Sequence, residues 1–100
     1  MIKGLEKMLA EGKDSAELRF GLGNAYLTQG DAQLAVEHLH QCLALKPDYS
    51  AAWKLLAKAQ QLQGQTAAAI ETYQQGIEIA QQQGDKQTEK EMRVFLKRLL

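Results

Sequence analysis

Chemistry in a chain of this kind would begin with its nucleophilic and ligating side chains, and these are sparse. His38 and Cys42 stand four residues apart, which on a helix puts both on one face and lets both reach one metal ion. Two ligands fall short of the three or four that a zinc site takes, and His40 points to a different face. No metal is expected, and the pattern reads as a buried thiol beside exposed imidazoles. Gly21, Gly23 and Asn24 contain a GxG, but no strand precedes it and neither a third glycine nor a Gly-Lys-Ser/Thr follows, so it is not a phosphate loop. No Ser, His and Asp set and no carboxylate pair is spaced for catalysis, so neither an enzyme nor a cofactor is expected. What remains is binding chemistry. Lys54 and Lys58 are one helical turn apart, so both ammonium groups can reach one carboxylate or one acidic segment.

Composition narrows what such lysines could meet. One hundred residues make one domain with one modest core,. Twelve Lys plus Arg balance twelve Asp plus Glu, so no global field gathers phosphates and nucleic acid is not expected as a partner. Met1 is followed by a mixed, charged segment, and no window approaches the roughly 20 apolar residues that span a bilayer. No membrane partner and a cytoplasmic location are therefore expected. The single Cys42 cannot form an internal disulfide, which fits a reducing compartment. Strong helix formers fill most positions, a single proline interrupts them and no alternating Val/Ile/Thr runs occur, so the chain reads as all-α,.

About six helices must position these residues. Ile2, Leu5, Met8 and Leu9 share one face of a short helix ended by Gly12,. Asp14 and Ser15 can cap a second helix running to about Thr28, with Leu18, Leu22, Ala25 and Tyr26 inward and Gly30 as its stop. Asp31 caps a third, carrying Ala35, Leu39, Cys42 and Leu43 on one stripe until Pro47 forbids further helix. Asp48 and Ser50 offer caps for a fourth helix, where Trp53, Leu56, Ala57 and Gln60 share a face and Gly64 follows. Thr66 opens a fifth with Ala69, Ile70, Tyr73, Gly76 and Ile77 inward. Asp85 caps a sixth, striped by Met92, Phe95, Leu96 and Leu99.

Helices two and three match helices four and five at an offset of 34 residues. Leu22 pairs with Leu56, Ala25 with Ala59, Gln29 with Gln63, Gly30 with Gly64, Ala35 with Ala69, Glu37 with Glu71 and Gln41 with Gln75. The similar pairs Val36/Ile70, Leu39/Tyr73, Leu43/Ile77 and Leu45/Ile79 are expected on the buried stripe as well. A fixed period of this length means repeated helix pairs.

These residues resemble the tetratricopeptide repeat, whose pattern has a Trp, a Leu-Gly pair and a Tyr on the first helix, then Ala, an aromatic, Ala and Pro on the second. Residues 16–49 match it at Leu22, Gly23, Tyr26, Ala35, Leu39 and Pro47, with Cys42 at a small-residue position and Arg19 at the Trp position. Residues 50–83 match it at Trp53, Leu56, Ala57, Ala69 and Tyr73, with Gly76 at the small position, Gln60 in place of the Tyr and Gln81 in place of the Pro. Without that proline the fifth helix is expected to run on through Gln82 or Gln83. The resemblance implies a right-handed α-solenoid of antiparallel helix pairs. Residues 1–13 then form a half-repeat helix, 16–49 and 50–83 two repeats, and 84–100 a capping helix of the kind that repeat arrays need. In such a stack Gly23, Ala57, Cys42 and Gly76 are small because helices approach closely, and Trp53 fills the gap between adjacent pairs.

The resemblance also implies that function lies on the concave side, lined by the first helix of each pair. The candidate groove residues are Phe20, Asn24, Leu27 and Thr28 from the first repeat, and Ala51, Lys54, Leu55, Lys58 and Leu62 from the second. Phe20, Leu27, Leu55 and Leu62 are apolar yet off the core stripe, as a contact surface would be. Family members that grip a partner's C-terminal carboxylate use a clamp of Lys, Asn and Arg from three repeats. Here Asn24 sits at an Asn place of that clamp, but Phe20 and Leu55 replace a Lys and an Asn, and a third repeat is absent. The expected function is therefore non-catalytic: binding a peptide or helix of a partner protein in the groove. The alternative is a scaffold subunit whose groove and capping helix join a second copy in a homodimer.

Overall fold

The computed structural model describes all 100 residues and contains six α-helices. They are α1 (Ile2–Ala10), α2 (Ala16–Gln29), α3 (Ala32–Leu45), α4 (Ser50–Leu62), α5 (Thr66–Gln83) and α6 (Lys86–Leu99). Both helix pairs keep the 34-residue register to the residue, since Ala16 and Ser50 open α2 and α4, and Ala32 and Thr66 open α3 and α5. Gly30 and Gly64, one period apart, both turn the chain with positive φ, 92° and 76°, a conformation that side chains with a Cβ resist,. Pro47 stops α3 at Leu45, and α5, which lacks the equivalent proline, runs on to Gln83,.

Side chains close the helix starts where the sequence offers them. The Ser15 hydroxyl accepts from the Leu18 amide at 3.0 Å, and Asp31 and Asp85 accept from the Leu34 and Thr88 amides, each at 3.1 Å,. The expected capping of α4 by Asp48 or Ser50 does not occur, because Tyr49 holds the cap position without a side-chain bond. Ser50 instead donates its hydroxyl to Asp85 Oδ2 at 2.6 Å, tying the start of α4 to the start of α6.

Consecutive helices pack as antiparallel pairs, and α2, α4 and α6 also touch in succession. The first core cluster joins α2, α3 and α4 through Ala16, Ala35, Leu39, Cys42, Ala52, Leu55, Leu56 and Ala59. The second joins α4, α5 and α6 through Ala57, Tyr73, Ile77, Ala80 and Met92. The small residues stand at the closest crossings. A Cβ on Gly23 would lie 2.5 Å from Leu39 Cγ, and one on Gly76 would lie 2.7 Å from both Met92 Sδ and Trp53 Cβ. Trp53 is half-buried at that crossing, and its indole N–H donates to the Pro47 carbonyl at 2.9 Å.

Several apolar residues sit further out than the stripes predict. Met8 is 41% exposed and Leu45 54%: α1 is the outermost helix, packed chiefly on α2, and Leu45 is the last residue of α3. No residue of α1 is fully buried.

Candidate functional site

The two repeat-opening helices α2 and α4 lean together around an open concavity of about 460 Å³. Asn24, Leu27 and Thr28 line it from α2, and Leu55, Lys58, Gln61 and Leu62 from α4. On a helix, residues 24, 27 and 28 share one face, as do 55, 58 and 62, and the packing of α2 beside α4 brings these two rows to one hollow. A second concavity, about 500 Å³, lies on the other side of α2 between that helix and the start of α1. Met1, Ile2 and Lys3 wall it, and Asn24 and Thr28 line both hollows, so those two residues form the ridge between them. The Thr28 hydroxyl donates to the Asn24 carbonyl at 2.9 Å, which fixes its rotamer along the ridge.

Six of the nine candidate groove residues meet around the first concavity: Asn24, Leu27, Thr28, Leu55, Lys58 and Leu62. Leu62 is 64% exposed, an apolar side chain standing in solvent at the rim. Leu55 is not the solvated side chain expected; it is 8% exposed and belongs to the first core cluster, offering only its edge to the hollow. The reason is that α4 has α2, α3, α5 and α6 around it, so three successive residues, Leu55, Leu56 and Ala57, are buried.

The other three candidates are placed elsewhere. Phe20 stacks on Tyr49 with ring centroids 4.8 Å apart and packs against the first core cluster. Ala51 is half-buried. Lys54 donates to Glu91 of α6 at 2.7 Å, and this ion pair holds the Glu91 carboxyl below its usual value. The two lysines therefore do not act as one unit, since Lys58 places its ammonium 4.6 Å from the centre of the Phe95 ring,. Gln61 was not anticipated; its side-chain oxygen accepts from the Tyr73 hydroxyl at 2.6 Å. That Tyr73 is fully buried was legible and implied a partner for its hydroxyl, which is the signal that would have found Gln61,.

Cys42 is fully buried, as expected, and burial pushes its thiol up to about 11, so it is a neutral packing group at ordinary pH,. His40 is exposed, but the expectation of an exposed His38 fails. His38 is 9% exposed because it lies three residues beyond Ala35 and four before Cys42, on the same stripe,.

A model of the tetratricopeptide repeat matches residues 26–87, and a second model of that repeat matches residues 5–41. The chain belongs to the tetratricopeptide repeat family. Among the relatives of this tetratricopeptide repeat protein is a TPR repeat-containing protein of Pseudomonas aeruginosa, 58% identical over 99 residues, a match covering 99% of this chain and 94% of the relative. A solution structure of a Bordetella parapertussis protein superposes with a TM-score of 0.89 at 43% identity, covering 99% of this chain and 86% of that one. The crystal structure of a tetratricopeptide repeat domain protein from Salinibacter ruber superposes with a TM-score of 0.80 at 26% identity, covering 86% and 96% of the two chains. Tetratricopeptide repeats generally mediate protein–protein interaction, and the family is typically non-catalytic. No helix of the structure is long and apolar enough to cross a membrane.

Proposed function

We propose that this tetratricopeptide repeat protein is a non-catalytic binding module that holds an extended segment or helix of a partner protein between α2 and α4. In this reading residues 1–13 are a half-repeat, 16–49 and 50–83 the two repeats, and 84–100 the cap. The observation that carries it is the convergence of Asn24, Leu27, Thr28, Leu55, Lys58 and Leu62, from two consecutive repeats, on one open hollow. Its apolar wall and exposed Leu62 offer area to bury, and Asn24 offers an amide able to donate to and accept from a partner backbone,. The charged side chains lining the two hollows, Lys3 and Lys58, are both cationic, so a partner segment bearing a carboxylate fits best,.

The test uses Asn24→Ala with Leu62→Asp, two exposed positions whose substitution leaves the core alone. Affinity capture from native cell extract should lose its specific partner at least tenfold with this variant while the thermal transition stays in place. Full capture by the folded variant would remove this hollow from the binding surface. Light scattering on the same samples separates the scaffold reading: a tight dimer of the wild type that the variant splits would mean that a second copy fills the hollow.

A further inference from the structure

The neutral total of the chain hides an uneven distribution. α4 has two lysines and no acid, and α6 has five Lys and Arg against two Glu. α3 and α5 together have three Glu and neither Lys nor Arg. Charge is therefore sorted by helix: cations collect on α4 and α6, which touch each other, and acids on α3 and α5, which close the two pairs. Such a local field survives although the charges of the whole chain cancel, because exposed charges farther apart than about 8–10 Å are largely screened from one another at ordinary salt.

Within this basic region one ring gathers two cations. Phe95 of α6 is half-buried, packed on the second core cluster, with its ring tilted against that of Tyr73 at 6.1 Å between centroids. Lys58 Nζ of α4 lies 4.6 Å from the centre of the Phe95 ring, and the guanidinium carbon of Arg98 lies 5.7 Å from it. Neither cation forms an ion pair with any carboxylate of the chain. Glu91, one turn before Phe95, has both oxygens engaged, one by Lys54 at 2.7 Å and the other by Gln87 at 3.1 Å. A ring face attracts a cation without using up its N–H groups, so most donors of Lys58 and Arg98 stay open. Lys58 also joins this place to the groove: it lines the α2–α4 hollow, and Phe95 lines the next hollow along, about 200 Å³, with Gln87, Lys90, Glu91 and Val94.

We infer that Lys58, Phe95 and Arg98 form a seat for acidic side chains, through which α6, besides capping the stack, carries the binding surface on to an acidic segment of the partner protein. The seat rests on the proposed binding role of α2 and α4 and names the chemistry of what they hold. Two long side chains gathered on one fixed ring lose less freedom when a carboxylate arrives than two loose lysines would. The apolar floor beneath them lowers the local dielectric and so strengthens each charge-assisted hydrogen bond. Charge complementarity selects the occupant, since the seat offers unpaired cations and no free acid,. A nucleic-acid strand fits less well: the Phe95 ring that a base would stack on is already occupied by cations, and Glu89 and Glu91 on the same helix oppose a phosphate backbone,.

The experiment is fluorescence anisotropy of a labelled oligoglutamate titrated with the whole chain at low ionic strength, where screening is weakest. Wild type should bind it saturably. Lys58→Gln with Arg98→Gln should weaken binding about fivefold or more. Lys86→Gln with Lys97→Gln, which removes equal charge from exposed positions elsewhere on α6, should weaken it less than about twofold,. Asn24→Ala, on the α2 side of the first hollow, should bind as wild type does. Three results would overturn the seat: no binding by wild type, equal losses in the two charge variants, or tighter binding of an oligothymidylate of equal charge. A loss in Asn24→Ala but none in the seat variant would also refute it while leaving the α2–α4 hollow as the binding surface, so the two readings fail separately. Circular dichroism checks that each variant is folded. Should the double seat variant fail to fold, Arg98→Gln alone, at an exposed position, decides: its affinity must fall about twofold or more, and an unchanged affinity refutes the seat,.

Discussion

Replacing Gly23 and Gly21 by alanine, one at a time, should move stability in opposite directions although the two glycines lie two residues apart on α2. The added methyl on residue 23 would stand 2.5 Å from Leu39 Cγ and 2.6 Å from its Cδ2. Cγ is the branch atom of a side chain with no exposed surface, so Leu39 cannot swing aside and the helices must part. Overpacking of this kind costs about 1–3 kcal/mol, and the absence of any escape puts Gly23→Ala in the upper half of that range. Alanine gives back about 1 kcal/mol of helix propensity, leaving a net loss of about 1–2 kcal/mol. In a 100-residue domain that lowers the melting temperature by about 5–15 °C,. On residue 21 the methyl would meet only the tip of Leu5, Cδ1 at 3.5 Å and Cδ2 at 4.0 Å, ordinary contacts. Gly21→Ala keeps the helix gain of about 0.5–1 kcal/mol and should raise the melting temperature by about 3–8 °C. Thermal unfolding followed by far-ultraviolet circular dichroism reads both. A Gly23→Ala protein as stable as wild type, or a Gly21→Ala protein less stable, would refute the account of small residues as spacers at the α2–α3 crossing.

Two further predictions follow from the polar contacts. Thr72→Val keeps the shape but leaves the buried Gln60 without its 2.6 Å donor, which should cost about 1–3 kcal/mol in chemical denaturation,; Thr72→Ser, which restores the hydroxyl, should recover most of it. Asp85→Ala removes the α6 cap and the Ser50 link together, costing about 0.5–2 kcal/mol at neutral pH,. The Ser50 hydroxyl, with the Thr88 amide, holds the Asp85 carboxyl below its ordinary value. Its contribution is thus complete above about pH 4 and is lost as pH falls through the lower folded value. Denaturation curves of wild type and Asp85→Ala should accordingly converge in acid, and a constant gap would contradict the assignment.

The repeat was legible because its signals are local and redundant. Gly30 and Gly64 stop helices at equal places, and the pairs Leu22/Leu56, Ala35/Ala69 and Leu39/Tyr73 are all at most 2% exposed. What escaped the sequence depends on neighbours far along the chain. Lys54 looked free because its partner, Glu91, is 37 residues away on α6. Leu55 looked solvated because a single stripe describes a helix packed on one side, whereas α4 is packed on several. Ser50 has the chemistry of a cap, yet its hydroxyl bonds across to Asp85 instead. His38 was legible by spacing and was misread by residue type: a polar ring on the buried stripe signals a hydrogen-bonded partner, not exposure. Of the candidate groove, the rows 24, 27, 28 and 55, 58, 62 came from the tetratricopeptide resemblance, which implies a concave side lined by the first helix of each pair.

The division of the interior into two clusters bears on how the molecule comes apart. Leu55, Leu56 and Ala59 belong to one and Ala57 to the other, so α4 is the wall that both share, while α1 belongs to neither. In a one-dimensional stack each element is coupled only to those beside it. Losing α1 leaves both clusters whole, and losing α6 damages only the second. Nothing can loosen α4 without dissolving the interior on both sides, so the cooperativity of this small array is concentrated in its middle helix. Its two ends are free to fray first and to re-form first.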